Sequence, residues 1–500
     1  MKSLKQKVVN IDTQYQRCDD MTKVGVIHNK DINYCQDPPF HPDSQYPEYP
    51  FETLSKQNKV YNSIRDMFRQ LDYDKDNFNH PDWNPLKDYV TPGDHVFIKP
   101  NLVYHKNQND ALITHGSIIR AMLDYIIIAL KGKGKVLIGD SPIQGADFEK
   151  IKMISGLNEI LEFTKKISKI EIEVIDLRKE WVKTDFSQKS IIEKIKIRFD
   201  NSDYIAVDLG CESKFCSNSK PKNPFKVSMY PHLELNQHHN NSHHEYLISK
   251  DVLNANVIIN LPKLKTHKIA GITSSLKNLI GINGDKNWIP HYSLGSVEEG
   301  GDEYRCKDYR KHVMTRIIEK IDSSDNYFVL HLFPFIYYLI YYSSYINHFK
   351  DPFHYGAWYG NDTIWRSTLD LNKIIFYVDK NGKFQKSRQR KMFVLIDAVV
   401  AGEGEGPLKP EPIKCNLLIA GDDPLATDIV CCTLMGFDWR KIPTLKNGLN
   451  VKNCDLCNSI DDISIVSDCG EHIFGIRNKF NYIFKPASGW KGHIEYENTT

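Results

Sequence analysis

The chain has 500 residues, of which 41% are apolar and 26% charged. That composition excludes a disordered or collagen-like chain and supplies enough apolar side chains for a large core. With 65 Lys and Arg against 63 Asp and Glu, the net charge is +2, so no overall field favours nucleic acid and no such partner is expected.

Residues 1–20 read as a polar tail. No apolar run of the secretory kind follows MKSLKQK, so the expected location is the cytoplasm. The odd count of 11 cysteines fits a reducing compartment. Cys454 and Cys457 make a single C-x-x-C, and Cys211 and Cys216 are five apart. Without a second pair neither spacing is a metal framework.

A strand is predicted over Lys23–His28, and a helix around Ser55–Leu71. Between them, the prolines from Pro38 to Pro50 block regular structure. From residue 90 a pattern recurs: a short β-branched run, a polar turn, then a helix. The runs are Val96–Asn101, Lys135–Pro142, Val257–Pro262, Val394–Asp397 and Leu417–Gly421, with an amphipathic helix at 117–130. Continuous apolar strands alternating with helices predict an α/β three-layer sandwich around a mainly parallel sheet. The expected domain spans 21–485, with insertions at about 210–245 and 286–365 and a tail at 486–500. Residues 286–312 are a lid candidate within the second insertion.

In such sheets ligands bind at the carboxyl ends of the strands, and polar residues collect at those ends. Lys99 and Asn101 end the first strand, and Asp140 the second. Lys263, Lys265, His267 and Lys268 follow the third, leading to Ser274, Ser275, Lys277 and Asn278. Hydroxyl residues at a helix start expose backbone N–H groups, and lysines add point charges. A carboxylate or phosphate cradle is expected there, although the P-loop motif is absent. The bland alternative is a solvated basic loop with an ordinary cap.

After the fourth run, Glu403 and Glu405 alternate with three glycines in AGEGEGP. Two readings stay open, a cation or proton site and a flexible turn. Asp422, Asp423 and Asp428 suit helix capping better than ligation. His238, His239, His243 and His244, in HHNNSHHEY, are candidate metal ligands, and a polar loop is the alternative. The order H-E-x-x-H, a dinucleotide fingerprint and a G-x-S-x-G elbow are all missing.

Asn326–Phe349 contains no Asp, Glu, Lys or Arg, yet carries Pro334 and six tyrosines. Three readings are open: a buried helix or helical hairpin, an element lying on a membrane surface, and a true span. A span would divide motifs that a shared site needs on one side.

The run VIINLPKLKTHKIAGITSSLKNLIGING, together with VFIKPNLV, VLIGDSP, VLIDAVVAGEGEGPLKPEP and GDDPLATDIV, resembles the family called domain of unknown function 362. WYGNDTIWRSTLDLN and HHNNSHHEYLIS resemble its longer members, and the likeness covers most of residues 20–480. Many members carry a ferredoxin-like iron–sulfur module. This chain lacks the four-cysteine run, so no such cluster is expected. Longer members without the module occur among bacterial surface-polysaccharide genes, so the resemblance implies sugar or sugar-phosphate substrates.

The preferred reading is an enzyme acting on an anionic small molecule. Lys99, Asn101, Lys263, Lys268, Ser274, Lys277 and Asn278 would bind it, with Arg366 and Asn361 as outer contacts. His267, Lys265 and Asp140 would be catalytic. The cofactor is left open: Glu403, Glu405 and Asp140 would either hold a divalent metal or assist proton transfer. The alternatives are a membrane-associated binding or assembly protein that docks through 326–349 at the inner membrane face, and an iron-dependent redox protein.

Overall fold

The computed structural model describes residues 21–496, apart from 52, 56–57, 107–108, 185–190, 199–200, 217–222, 325, 344–350, 450–455, 468–472 and 481. Its centre is a ten-stranded sheet. The strands are β1 (Thr22–His28), β2 (His95–Pro100), β3 (Lys135–Asp140), β4 (Glu171–Asp176), β5 (Val257–Leu261), β6 (Lys263–His267), β7 (Gly271–Thr273), β8 (Lys391–Glu405), β9 (Lys409–Gly421) and β10 (Ile463–Val466). The order is β10-β1-β9-β8-β5-β2-β3-β4, and β6 continues the β5 edge alongside β8 and carries β7.

β8, β5, β2, β3 and β4 run parallel. β9 runs antiparallel to both neighbours, β1 and β8. The sheet is therefore mainly parallel, as expected from strands whose side chains are apolar on both faces. Alternate residues of one strand feed separate cores. Phe97 and Ile258 lie in one, and Val96, Ile98, Val257 and Ile259 in the other. Such two-sided burial requires helices on both faces. α1 (Lys59–Gln70), α2 (Gly116–Leu130) and α3 (Leu157–Ile167) contribute to one core. α7 (Ile364–Tyr377) and α8 (Pro424–Leu434) contribute to the other.

Three details depart from the sequence reading. The glycine-rich tract is not a turn: β8 runs straight through Glu405 and pairs residue by residue with β9 to Lys409. Because β9 is antiparallel, Val394 faces Gly421, which puts Asp422 and Asp423 at the opposite edge from the other strand ends. Residues 486–490 belong to the domain rather than to a tail, since the buried Trp490 donates Nε1–H to the Lys268 carbonyl at 2.7 Å.

The second insertion is folded. α5 (Tyr309–Asp322) and α6 (Tyr327–Ser343) form a helical hairpin around Met314, Ile317, Ile318, Ile321 and Tyr337. The described part of the aromatic segment is thus one helix with Pro334 inside it and only Pro334 and Tyr337 buried, so it is neither a buried helix nor a hairpin by itself, and its hairpin partner α5 lies outside the segment. Among the described residues no helix is long and apolar enough to cross a membrane.

Candidate functional site

The carboxyl ends of β2, β3 and β5 are tied together by buried polar groups. Lys99 Nζ meets Asp140 Oδ1 at 2.6 Å, and the Lys99 side chain is wholly inaccessible. Asp140 also accepts the N–H of Leu102 (2.6 Å) and Ser141 (2.8 Å). Asn278 Nδ2 reaches the Lys99 carbonyl and Asn260 Oδ1, at 2.9 and 2.8 Å. A charged pair out of water holds only when further hydrogen bonds satisfy it, and here they do. Gly281 makes the approach feasible, because a Cβ there would sit 2.0 Å from Asp140 Oδ1.

β6 brings Lys265 and His267 onto this floor. Lys265 Nζ donates to Asn101 Oδ1 at 3.2 Å and to the Leu112 carbonyl. Burial, then the neighbouring charge of Lys263, brings the Lys265 ammonium down to about 7. His267 Nδ1 accepts the N–H of Ile269 and Ala270, at 3.0 and 3.2 Å. With Nδ1 occupied as an acceptor, the neutral ring carries its proton on Nε2. Burial, then the charge of Lys277, pushes this histidine well below its ordinary value. His267 is thus a fixed hydrogen-bond donor, not the near-neutral acid or base that its residue type suggests.

Above this floor lies a cavity of about 1060 Å³. Asn101, Asp140, Lys265, His267, Lys268, Lys277, Asn278 and Glu405 all line it, so eight of the sequence candidates converge. Lys277 and Lys286 reach it without a hydrogen-bond or ion-pair partner among the described residues. Burial holds both near 8, and for Lys277 the charge of Lys286 adds to it. His291, held to about 3 by burial and then by Lys286 and Lys277, lines the cavity beside them as a neutral ring. The outer wall comes from the insertion, through Tyr337, Tyr338 and Tyr341 of α6 and Tyr355.

Lys286, His291 and the tyrosines escaped the sequence reading. They sit in a segment whose only local signal was polarity or aromaticity, and only the fold brings them to the strand ends.

Several candidates lie elsewhere. Lys263 points away, pairing with Asp397 (3.0 Å) and donating to Tyr34 Oη (2.6 Å) in a fully buried network. The start of α4 (Ser275–Asn278) is already capped: Asp428 accepts Ser275 N–H and Leu276 N–H at 2.7 and 3.0 Å. That carboxylate excludes an anion from the position, and Ser274 itself is buried outside the cavity. Arg366 pairs with Asp362 (2.8 Å) and the Lys214 carbonyl (2.7 Å), away from the cavity. Asn361 acts behind it, donating to the His291 carbonyl at 2.9 Å.

Glu403 and Glu405 grip the C-terminal segment, accepting the N–H of Lys485 (2.9 Å) and Ser488 (2.8 Å). Lys268 meets Glu405 at 3.3 Å on the exposed side. Among the described residues no group of three or more His, Cys, Asp or Glu could hold a metal ion. The four histidines find no ligand set. His238 pairs with Glu245 at 2.9 Å and stacks on Trp288, and His239 Nε2 bonds the Trp288 carbonyl at 2.9 Å. His243 bonds the Gln237 carbonyl at 2.5 Å, and burial holds His244 to about 4. Cys454 lies outside the described residues, and Cys457 is buried.

A family model described as a domain of unknown function matches residues 96–205 and 223–433, taking in every floor residue named above. The chain belongs to the DUF362 family. This DUF362 protein is 24% identical over 196 residues to a Synechocystis sp. protein named thylakoid-associated protein. The match takes in 39% of this chain and 41% of that protein, so the chain spans about two fifths of its curated relative's length. A crystal structure of a Thermotoga maritima protein matches 71% of this chain and 54% of its own, at 9% identity and a TM-score of 0.27. That likeness is too slight to bear on fold or function.

Proposed function

We propose that this DUF362 protein is an enzyme acting on a small molecule that carries a carboxylate or phosphate. Lys277 and Lys286 bind the anion. His267 donates to it from Nε2, and Lys265, held to about 7, gives or takes a proton at neutral pH. The supporting observation is that two lysines share one cavity and neither has an ion-pair partner among the described residues, the lining carboxylates Asp140 and Glu405 being paired with Lys99 and Lys268. A partly buried ammonium with no counter-ion is poorly compensated, and an anionic ligand supplies what it lacks. Asp140 and Lys99 set the floor rather than react, because each already satisfies the other. Calorimetry with inorganic phosphate and with citrate tests the reading. The wild type should bind at least one of them with proton uptake at pH 8, and Lys277→Met should weaken binding about tenfold or more. A wild type indifferent to both anions at millimolar concentration would sink it.

A second reading has its own observation. Phe328, Phe335, Leu339 and Tyr342 are exposed on one face of the uncharged helix α6. Such a face suits a peripheral element lying on a membrane, and the Synechocystis relative is named thylakoid-associated. Under it the protein binds or assembles components at the inner face of a membrane. Carbonate washing of isolated membranes should release the protein, whereas an integral protein would remain.

A further inference from the structure

The cavity joins a cationic and an apolar lining. Lys265 on its floor is wholly inaccessible, whereas the lining residues Tyr341 and Leu408 are 39% and 40% exposed. Lys277 and Lys286, both partly exposed, share the cavity with Tyr337, Tyr338, Tyr341, Pro407 and Leu408. One tyrosine of the aromatic wall is anchored on both sides. Tyr337 packs into the α5–α6 core and shares a 2.6 Å hydroxyl contact with Tyr355. A volume of 1060 Å³ lies at the upper end for small-molecule sites, about 300–1,000 Å³, and far exceeds what one acid group fills.

We propose that the ligand is an anionic amphiphile: a phosphate or carboxylate head on Lys277 and Lys286, and one apolar chain laid along Tyr338, Tyr341 and Leu408. The proposal rests on the anion reading above and names the substrate class of the same site. A head alone would leave the tyrosine wall in water. Each methylene buried against it strengthens binding by about threefold to fourfold at most. The rim lysines Lys268 and Lys409 add positive charge where the head must pass, and Lys268 is there partly offset by Glu405. On the same helix Phe328, Phe335, Leu339 and Tyr342 are exposed, and the Tyr341 and Tyr342 rings lie 5.6 Å apart between centroids.

The test compares methyl phosphate, octyl phosphate below its micelle concentration, and 1-octanol, by calorimetry on the full chain. Octyl phosphate should bind about tenfold or more tighter than methyl phosphate. Tyr341→Ser and Leu408→Ser, both at exposed positions that the fold tolerates, should each cost octyl phosphate about threefold and leave methyl phosphate unchanged. Lys277→Met should weaken both phosphates.

Equal affinity for the two phosphates, with both dependent on Lys277, overturns the amphiphile and leaves the anion site standing. Binding of neither phosphate overturns both. Octanol binding as tightly as octyl phosphate, indifferent to Lys277→Met, makes the cavity a plain apolar pocket and also overturns the proposal. Flotation with phosphatidylcholine vesicles containing phosphatidic acid separates the sources. Co-flotation lost on Phe335→Ser supports an amphiphile taken from a bilayer, and octyl phosphate binding without co-flotation supports one taken from solution.

Discussion

Lys277 and Lys286 face one cavity, and the charge of Lys286 lowers the proton affinity of Lys277. Neither has a partner to offset that repulsion among the described residues. The site therefore stores unfavourable electrostatics in the free protein, and this has a signature in pH.

In the unfolded chain these lysines stay protonated to about 10.5, whereas the folded protein holds Lys265 to about 7 and Lys277 and Lys286 to about 8. Between those limits the unfolded state binds more protons, so stability must rise with pH. Ligand-free protein should melt several degrees higher at pH 9 than at pH 7 in scanning calorimetry. Lys277→Met should flatten that slope and raise the melting temperature at pH 7. Saturating phosphate should flatten it too, because a bound anion restores the protonated form. A melting temperature that falls from pH 7 to 9 would contradict the assignment.

Lys263 is a lysine of the same strand with a different task. Lys263→Met strips Asp397 of its buried partner and should cost about 3–5 kcal/mol in denaturant unfolding. Phosphate affinity of the folded fraction should stay within about twofold of the wild type, whereas Lys277→Met loses it. Equal losses from the two substitutions would return Lys263 to the site.

Gly281 is required for space. A methyl group 2.0 Å from Asp140 Oδ1 cannot be accommodated without parting Asp140 from Lys99. Gly281→Ala should therefore lower the melting temperature and weaken anion binding together, by about 1–3 kcal/mol in stability. Unchanged melting would show that the floor yields more readily than its packing implies.

Asp428 closes a helix start that would otherwise resemble an anion site. Asp428→Ala leaves two buried N–H groups unpaired and should cost about 1–3 kcal/mol each. Asp428→Asn, which keeps one acceptor, should recover part of the loss. Because burial raises this carboxyl to about 6, against an ordinary 3.8, the unfolded state releases its proton first. Its contribution to stability should fall as pH rises from 4 to 6 and then level off.

The strands were legible because burial on both faces writes a continuous apolar run, as at Val257–Leu261. Their ends were legible because polar residues there have nowhere to go but the site. Strand direction was not. Leu417–Gly421 looks the same read as parallel or antiparallel, so the edge occupied by Asp422 was misplaced. Lys263 and Lys265 are two apart and chemically alike, and only the register shift between their pairings with Asp397 and Gly402 separates a structural ammonium from a cavity one. The histidine pairs look like ligands because local spacing says nothing of the carbonyls and rings that occupy them. Lys286 joins Lys277 only through the path of the insertion, which no periodicity records.

The cavity draws mainly on three parts of the chain. Most of its charged floor comes from residues up to Lys286, its aromatic wall from a stretch that includes α5 and α6, and further lining from Glu405 to Lys409 at the β8–β9 connection. That stretch rests on its own small core rather than on the sheet's. The polypeptide therefore keeps most of the ligand's outer contacts in a cassette joined to the rest of the chain through few buried charges, chiefly Lys226 with Asp322 of α5. Lineages that trade this cassette would change their ligand while keeping the machinery that holds its acid group.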